Sequence, residues 1–303
     1  MIDFQPITIE HKKLLESCLL HGEDRGCEYA FANLFLWGRQ KAAMVQGYLV
    51  LFSQFSRRSV YPWPVGQGDI KPVLDAIIED AASRGIPCRI TGLADAQMQL
   101  LEQLYPGSFR FHCDRDSYDY VYAIDDLADL KGRKFQRKRN HINQFCQKWP
   151  EYHTEPLTAE NICAVQRMVD SWYENHMHQD PSSDYLMERA ALNKALRCHA
   201  ALDMHSLVLC SGQDVLAVTL GSHLSEDTVD VHFEKTDPRT PEAYPVINWL
   251  FARHIRETFP RVQYLNREDD LGLEGLRKAK LSYCPHHLVK KCWACLLEDG
   301  YDY

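Results

Sequence analysis

Three strand-like segments follow one another in the second half of the chain, and a long helical pattern comes directly after them. The segments DMHSLVLCS, DVLAVTLGSHL and TVDVHFEKTD occupy residues 203–211, 214–224 and 228–237, and PEAYPVINWLFARHIRETF begins at Pro241. Short apolar and β-branched runs bounded by polar turns are typical of strands joined by hairpins. Pro245 is compatible only with the first turn of the helix. This order predicts a mixed α/β domain with a largely antiparallel sheet.

Alternating helix and strand patterns extend over the rest of the chain. Before residue 125, the helical patterns TIEHKKLLESCLL, EYAFANLFLWGRQ and IKPVLDAIIEDAASRG alternate with strand-like runs such as YLVLFSQF and PCRITGL. After it come three predicted helices, the first over residues 132–149, and later RVQYLN, LGLEGLRKAK and HHLVKKCWACLL as a strand, a helix and a terminal strand. The length suits two domains. We therefore predict an α/β (α+β) fold with domains at 1–125 and 126–303, although no Pro/Gly/Ser-rich linker marks the boundary.

Composition narrows the class of protein. The chain is 45% hydrophobic and 25% charged, no run approaches the roughly eighteen apolar residues of a membrane span, and MIDFQPITIEHKK lacks the basic start and apolar core of a signal peptide. We therefore expect a cytoplasmic protein without a transmembrane segment. The 11 scattered cysteines suit reduced thiols better than a disulfide framework. A net charge of -8 argues against a general nucleic-acid coat, so a polyanion would have to be bound by a local patch.

Such a patch lies in KGRKFQRKRNHINQF, where six lysines and arginines fall within residues 131–139. Arg139 lies within the apolar stripe of the predicted helix, four residues after Phe135 and three before Ile142. One interpretation is a solvated helix face, with the stem of Arg139 on the core and its head in water. The other is a phosphate-binding groove that uses Arg137, Lys138 and Arg139, with Asn143 on the same helix, and that takes tRNA, a lipid head group or a cofactor.

Two segments carry a family resemblance. GRKFQRKRNHINQF and NREDDLGLEGLRKAKLSYCP, together with EYAFANLFLW, resemble an uncharacterised bacterial family that shares the C-terminal domain of phosphatidylglycerol lysyltransferases. The resemblance covers nearly the whole chain and implies two tandem GNAT-like domains, as in the Fem-type aminoacyltransferases. Characterised relatives move an amino acid from aminoacyl-tRNA onto a lipid head group. The multi-span membrane domain of the lysyltransferases is not found in these 303 residues, so a lipid acceptor is not implied.

The second motif, NREDDLGLEGLRKAK, is the signature segment of that family by resemblance. Asp270 is a plausible N-cap, and the basic residues near the end complement the helix dipole. Gly272 and Gly275 inside the predicted helix would cost roughly 1 kcal/mol each against alanine, which suggests close approach by another segment or a ligand. A structural helix wedged between the domains is an equal alternative. The resemblance makes the following residues candidates for the site: Asn266, Glu268, Asp269, Arg277 and Lys280.

The strand TVDVHFEKTD supplies candidate acid/base residues. Strict alternation places Asp230, His232 and Glu234 on one face, which we expect to meet solvent, a partner or a cleft because burying it would be costly. Transfer to an amine needs a base, and His232 or Glu234 is the candidate, with Tyr244 orienting the substrate. An ordinary exposed polar face is the alternative. No Ser or Cys nucleophile motif is present, so direct transfer in a ternary complex is the simpler mechanism.

Two other segments contain residues that could bind acyl-CoA or a metal ion. An acyl-CoA donor would use backbone amides of a glycine-rich turn, and VGQGDIKP offers Gly66 and Gly68, although Asp69 would repel a phosphate. CPHHLVKKCWAC contains potential zinc ligands, but Cys292 and Cys295 would point to opposite faces of a strand, so no metal is predicted.

The family resemblance, together with the basic helix and the weak CoA cradle, implies an aminoacyltransferase that uses aminoacyl-tRNA as co-substrate and a lipid, peptide or small-molecule acceptor. An acyl-CoA-dependent N-acyltransferase and a non-catalytic scaffold on the same fold are the alternatives.

Overall fold

The computed structural model describes residues 1–20, 26–55, 58–179 and 183–297. The first part of the chain contains these elements: β1 (Gln5–Pro6), α1 (Lys12–Leu19), α2 (Phe31–Trp37), β2 (Gln40–Val45), β3 (Tyr48–Phe55), β4 (Arg58–Pro62), α3 (Lys71–Arg84), β5 (Arg89–Leu93), α4 (Asp95–Leu104) and β6 (Phe109–Cys113). The second part contains β7 (Asp119–Ala123), α5 (Ile124–Asp129), α6 (Gln136–Lys148), β8 (Tyr152–Glu155), α7 (Ile162–Gln179), α8 (Ser183–Cys198), β9 (His205–Ser211), β10 (Asp214–His223), β11 (Thr228–Thr236), α9 (Tyr244–Thr258), β12 (Tyr264–Asn266), α10 (Glu274–Leu281), β13 (His287–Val289) and β14 (Cys292–Leu296).

The described residues form two compact units. The first contains Met1–Asp119, Asp269–Glu274 and the described residues from Leu288 onward, and the second contains Tyr120–Glu268 and Gly275–His287. The domain boundary at residue 125 stays a prediction.

The first sheet has seven strands in the order β1-β2-β3-β4-β5-β14-β6. Helix α3 packs on it because Val73, Leu74 and Ile77 lie at helical spacing and are fully buried in its core. The helix ends at Gly85, whose left-handed φ of 65° lets its N–H bond the carbonyl of Ala82 at 3.0 Å.

One strand of the first sheet, β14, comes from the C-terminal part of the chain. The segment predicted as one terminal strand of the second domain divides into β13, which joins the second sheet, and β14, which lies between β5 and β6. On β14, Cys292 is directly opposite Cys113 and forms a disulfide with it. The expectation of reduced thiols is therefore wrong for this pair, because strand pairing brings together two cysteines 179 residues apart in sequence. Cys292 is consequently not available as a zinc ligand, and the other nine cysteines, all within the described residues, form no disulfide.

The second sheet has the order β13-β7-β12-β11-β10-β9-β8, with β11 and β12 parallel. Helix α9 begins with Pro245 in its first turn, as predicted, and buries Ile247, Phe251 and Ile255 at four-residue spacing. A Cβ on Gly221 would lie 3.3 Å from the ring of Phe251 and 2.6 Å from the carbonyl oxygen of Asp230, so glycine permits close packing here.

A β-bulge interrupts the pairing of the two central strands, β10 and β11. Leu220 pairs with Phe233, but the next residue of β10, Gly221, pairs with Val231, so His232 is an extra residue on β11. A bulge adds one residue on one strand and reverses the alternation of side chains beyond it. This irregularity decides which side chains of β11 lie together.

Candidate functional site

His232, at the bulge, lies among three polar side chains of the second unit. Its Nε2 is 2.7 Å from the Oγ of Ser222. Its Nδ1 is 3.4 Å from a carboxylate oxygen of Asp230 and 3.4 Å from one of Glu268. Asp230 and Ser222 are direct ladder partners, and Asp230 also pairs with Asn266 on β12. The hydroxyl, the imidazole and the two carboxylates form a continuous cluster, which we call the His232 cluster.

The His232 cluster is buried, contrary to the expectation of an exposed or cleft-lining strand face. The side chains of His232 and Asp230 have no exposed surface, whereas Glu268 keeps 25% of its side chain exposed. Burial is tolerable because each ring nitrogen faces a polar partner. The cluster therefore reaches solvent chiefly at Glu268.

Glu234 is not part of that cluster, because the bulge places it on the opposite face of the sheet. Residues that pair directly share a face, and the ladder partner of Glu234 is Thr219, on the same side as Gly221. Its Oε1 accepts a hydrogen bond from Arg267 at 2.9 Å, and its other oxygen accepts one from the amide of Asn248 at 3.4 Å. The predicted single row of three acid/base residues is thus two separate sites. Of the two proposed bases, His232 lies beside the carboxylates of Asp230 and Glu268, whereas Glu234 is paired with Arg267.

Arg267 links Glu234 to the basic helix through an aromatic ring. Its guanidinium carbon lies 5.1 Å from the ring centre of Tyr283, and the ammonium of Lys138 lies 3.6 Å from the same centre. Burial, with the nearby charges of Arg267 and Arg137, lowers the pKa of Lys138 to about 8. Burial also raises the pKa of Tyr283 to about 12. The sequence analysis did not identify Arg267 and Tyr283 as site residues, although both lie within the segment NREDDLGLEGLRKAKLSYCP.

The basic helix is shorter than predicted and its cations differ in environment. Helix α6 begins at Gln136, after a short 3₁₀ turn at Arg133–Phe135. Lys131 and Lys134 are paired with Asp129 and Asp126, at 2.8 and 2.7 Å.

Arg139 has a structural role in this part of the chain. Its guanidinium donates to the carbonyls of Leu130 and Gly132, and to the side chain of Gln136 at 2.6 Å. Leu130 has a left-handed φ of 49° at the C-terminal end of α5, so these bonds satisfy carbonyls where the helix ends. Arg137 and Asn143 are exposed on α6, and their binding roles stay predictions.

Lys280 and Asn266 shape the chain after β12. The Nζ of Lys280 donates to the carbonyl oxygens of Arg267 and Glu268, at 2.5 and 3.1 Å. The side chain of Asn266 accepts the N–H of Glu268 at 2.8 Å. Glu268 has a left-handed φ of 57°, so both residues hold a bend that turns its side chain to His232. Arg277 is half-buried on α10.

The glycines of the same segment correct the predicted helix. Helix α10 begins at Glu274, so Gly272 lies before it and has a left-handed φ of 74°. The N–H of Gly272 donates a hydrogen bond to the carboxylate of Asp270 at 3.0 Å. A Cβ there would lie 2.6 Å from a carboxylate oxygen of Asp116, whereas one on Gly275 would meet open space. The close approach suggested by the sequence therefore exists at Gly272 and is made by the protein itself.

Four other candidates, Asp269, Tyr244, Gly66 and Gly68, have defined neighbours. Asp269 belongs to the first unit, where its carboxylate lies 3.8 Å from Lys291. Burial and the nearby charge of Glu234 raise the pKa of Tyr244. In the Gly66 and Gly68 turn, Asp69 accepts the N–H of Lys71 at 3.0 Å, and the carbonyl of Gly68 accepts the hydroxyl of Tyr48. That turn is organised as an ordinary start of α3.

Comparison with known proteins agrees with this architecture. The family model described as phosphatidylglycerol lysyltransferase, C-terminal, matches residues 22–295. The chain belongs to this family. The family resemblance identified from the sequence motifs is thereby confirmed. Membership of this family relates the chain to transferases.

Several solved structures are similar to this member of the lysyltransferase C-terminal family. A conserved protein of unknown function from Bacteroides thetaiotaomicron VPI-5482 is 36% identical, with a TM-score of 0.92 over 98% of this chain and 100% of that one. L-PGS from Bacillus licheniformis is 15% identical, with a TM-score of 0.67 over 96% and 93%. FemX is 11% identical, with a TM-score of 0.60 over 98% of both chains.

The fold prediction is confirmed as well. A tandem GNAT protein from the clavulanic acid biosynthesis pathway matches over 100% of both chains, with 7% identity and a TM-score of 0.50. An uncharacterised protein of Mycoplasmoides gallisepticum is 22% identical over 178 residues, and the match spans 58% of this chain and 55% of that relative. Among the described residues, no helix has the length and apolarity that a membrane crossing requires.

Proposed function

We propose that this chain transfers an amino acid from aminoacyl-tRNA to an amine or hydroxyl of a lipid, peptide or small-molecule acceptor. Membership of the lysyltransferase C-terminal family supports the reaction class. The arrangement of His232 carries the proposal, because both ring nitrogens have partners that define their roles.

His232 is the proposed general base. With Asp230 and Glu268 facing Nδ1, that nitrogen carries the ring proton, and the lone pair of Nε2 points to Ser222. Acyl transfer requires a group that removes the proton of the attacking amine or hydroxyl. The neighbouring carboxylates neutralise the imidazolium that forms. In this proposal Asp230 positions the ring, and Glu234 neutralises Arg267 instead of acting as a base.

The exposed part of the basic helix is the proposed tRNA contact. Arg133 and Arg137 are exposed, and neither has a carboxylate within 4.0 Å in the part of the chain that the structure describes. Unpaired surface cations bind phosphates with release of counterions, which makes the affinity dependent on salt. Lys138 would add a contact at the inner side of this patch.

A salt series of tRNA binding tests the RNA half of the proposal. Arg137→Glu should weaken binding of total tRNA about threefold to tenfold at moderate salt and reduce the slope of log affinity against log salt by about 1. The matched control is Lys148→Glu, on the same helix, because Lys148 is already paired with Glu242 at 2.6 Å. Equal affinity of wild type and Arg137→Glu would remove tRNA from the proposal.

A thermal-shift comparison separates the alternative donors. Tight binding to the native state raises the melting temperature by mass action. A shift with CoA or acetyl-CoA and none with tRNA would favour an acyl-CoA donor. If no donor shifts the protein and His232→Gln is tolerated in a cell that needs the protein, the scaffold alternative is favoured.

A further inference from the structure

A pocket of about 340 Å³ lies in the first unit, beside strands β2 and β3. One wall is the N-terminal segment Met1–Phe4, and the remaining lining residues come from β2, β3 and the end of α3, among them Lys41, Phe52 and Arg84. All of its lining residues belong to the first unit. Its volume is within the range of pockets that hold small organic ligands.

The N-terminal wall of the pocket is held in place by helix α3. The fully buried carboxylate of Asp80 accepts the N–H of Ile2 at 2.6 Å, and the guanidinium of Arg84 donates to the carbonyl of Ile2 at 2.8 Å. Further along the wall, Gln5 pairs with Ala42 where β1 joins β2. A wall that is fixed in this way is formed before a ligand arrives, which reduces the ordering cost of binding.

Two phenylalanine rings give the pocket an apolar surface. The rings of Phe4 and Phe52 are stacked, with centres 5.2 Å apart and an angle of 24° between their planes, and Phe4 is the more exposed of the two. The guanidinium carbon of Arg84 lies 5.5 Å from the centre of Phe4 and 5.2 Å from that of Phe52. Because Asp80 pairs with Arg84 at 2.7 Å, this arginine adds little net charge. An apolar or aromatic group can pack on this surface.

Asp3 and Lys41 add one charge of each sign to the pocket. Both side chains are exposed, and neither forms an ion pair within the part of the chain that the structure describes. Strand register fixes Lys41 beside the aromatic surface, because its ladder partner on β3 is Phe52. Asp3 directly precedes Phe4 on the fixed wall. A carboxylate and an ammonium that share a pocket without pairing are each available to the opposite charge of one ligand.

We propose that this pocket binds a free α-amino acid with an apolar or aromatic side chain. The ammonium of the ligand pairs with Asp3, and its carboxylate pairs with Lys41. Its side chain packs on the rings of Phe4 and Phe52. A purely anionic or purely cationic ligand would leave one pocket charge without a partner and would bring its own charge near a like charge, whereas a zwitterion satisfies both. This site does not depend on the donor or the acceptor of the proposed function.

Calorimetric titration of the full chain with L-phenylalanine and two analogues tests the need for both charges. Phenethylamine lacks the carboxylate and 3-phenylpropanoate lacks the ammonium, whereas both keep the ring. We expect each analogue to bind at least about tenfold more weakly than L-phenylalanine, because each loses one charge-assisted hydrogen bond. L-Phenylalanine should also raise the melting temperature by mass action. Equal affinity for L-phenylalanine and either analogue would overturn the proposal, and so would absence of binding of both L-phenylalanine and L-leucine at about 10 mM.

Substitutions at the two charged positions place the ligand in this pocket. Asp3→Asn should weaken binding of L-phenylalanine at least about tenfold without weakening that of 3-phenylpropanoate, which has no ammonium. Lys41→Gln should have the same effect on L-phenylalanine without weakening binding of phenethylamine. The matched control is Lys13→Gln, at an exposed lysine of the same unit outside the pocket, which should bind like the wild type.

The two pocket variants should fold normally, because both side chains are exposed, and their melting curves without ligand check this. Wild-type affinity for L-phenylalanine in either folded variant would show that the ligand does not use this pair of charges, and the proposal would then be wrong.

Discussion

Replacing Arg267 with methionine should destabilise the second unit by about 3 kcal/mol. Arg267 and Glu234 are 2.9 Å apart, with 15% and 9% of their side chains exposed. Removing one member of a buried ion pair leaves the other charge without compensation, which costs about 3–5 kcal/mol. The lower end applies here because Asn248 still donates to Glu234, at 3.4 Å. Methionine keeps much of the side-chain volume, so the lost charge dominates the effect.

Thermal and urea unfolding of three variants measure this prediction. A loss of 3 kcal/mol corresponds to a fall of about 6–12 °C in melting temperature for a unit of this size. Glu234→Gln alone should be destabilising as well, because it leaves Arg267 buried without a carboxylate. The double variant should recover about 2 kcal/mol relative to the sum of the single changes, since no unpaired charge remains. Single losses below about 1 kcal/mol, or strict additivity, would refute the view that a buried ion pair organises this site.

Four further outcomes are expected. Because Lys138 has a pKa of about 8, it loses its charge as the pH rises through that value. The tRNA affinity of the wild type, measured by fluorescence anisotropy, should therefore fall between about pH 7 and about pH 9. The affinity of Lys138→Arg should not fall over this range. Since folding lowers this pKa, unfolding titrations should also show a contribution of Lys138 that increases stability as the pH rises above 8. A non-reducing peptide map should link Cys113 to Cys292 and leave nine thiols for alkylation, and eleven alkylated thiols would contradict the pairing. Gly272→Ala should cost about 1–3 kcal/mol in thermal unfolding because of its left-handed backbone, whereas Gly275→Ala, on open helix surface, should be neutral or stabilise by up to about 1 kcal/mol.

Local patterns predicted the elements of the second sheet well. Strands β9, β10 and β11 and helix α9 lie where alternation and helical spacing placed them. The position of Pro245 in the first turn of α9 also follows from its missing N–H. These features depend on neighbouring residues in the chain, so one sequence is enough to find them.

Features set by pairing between distant segments were not accessible. Alternation placed Glu234 beside His232, but the register of β11 against β10 inserts a bulge at His232 and separates them. The same register brings Ser222 to the imidazole. The position of β14 in the first sheet likewise depends on partners more than 170 residues away, as the 179-residue separation of its disulfide shows. The sequence was enough to identify the polar candidate residues. Which of them lie together depends on how the strands of the sheet pair.

The transfer reaction itself is the most direct test of the central claim. Purified protein would be incubated with bulk tRNA carrying radiolabelled amino acids and with a panel of amine, hydroxyl and lipid acceptors, and labelled product would be counted. The account predicts acceptor-dependent transfer that His232→Gln slows at least about a hundredfold while tRNA affinity is unchanged. Transfer by His232→Gln at the wild-type rate would contradict the role of the buried imidazole. No transfer from any aminoacyl-tRNA, together with stabilisation by CoA, would contradict the proposed donor.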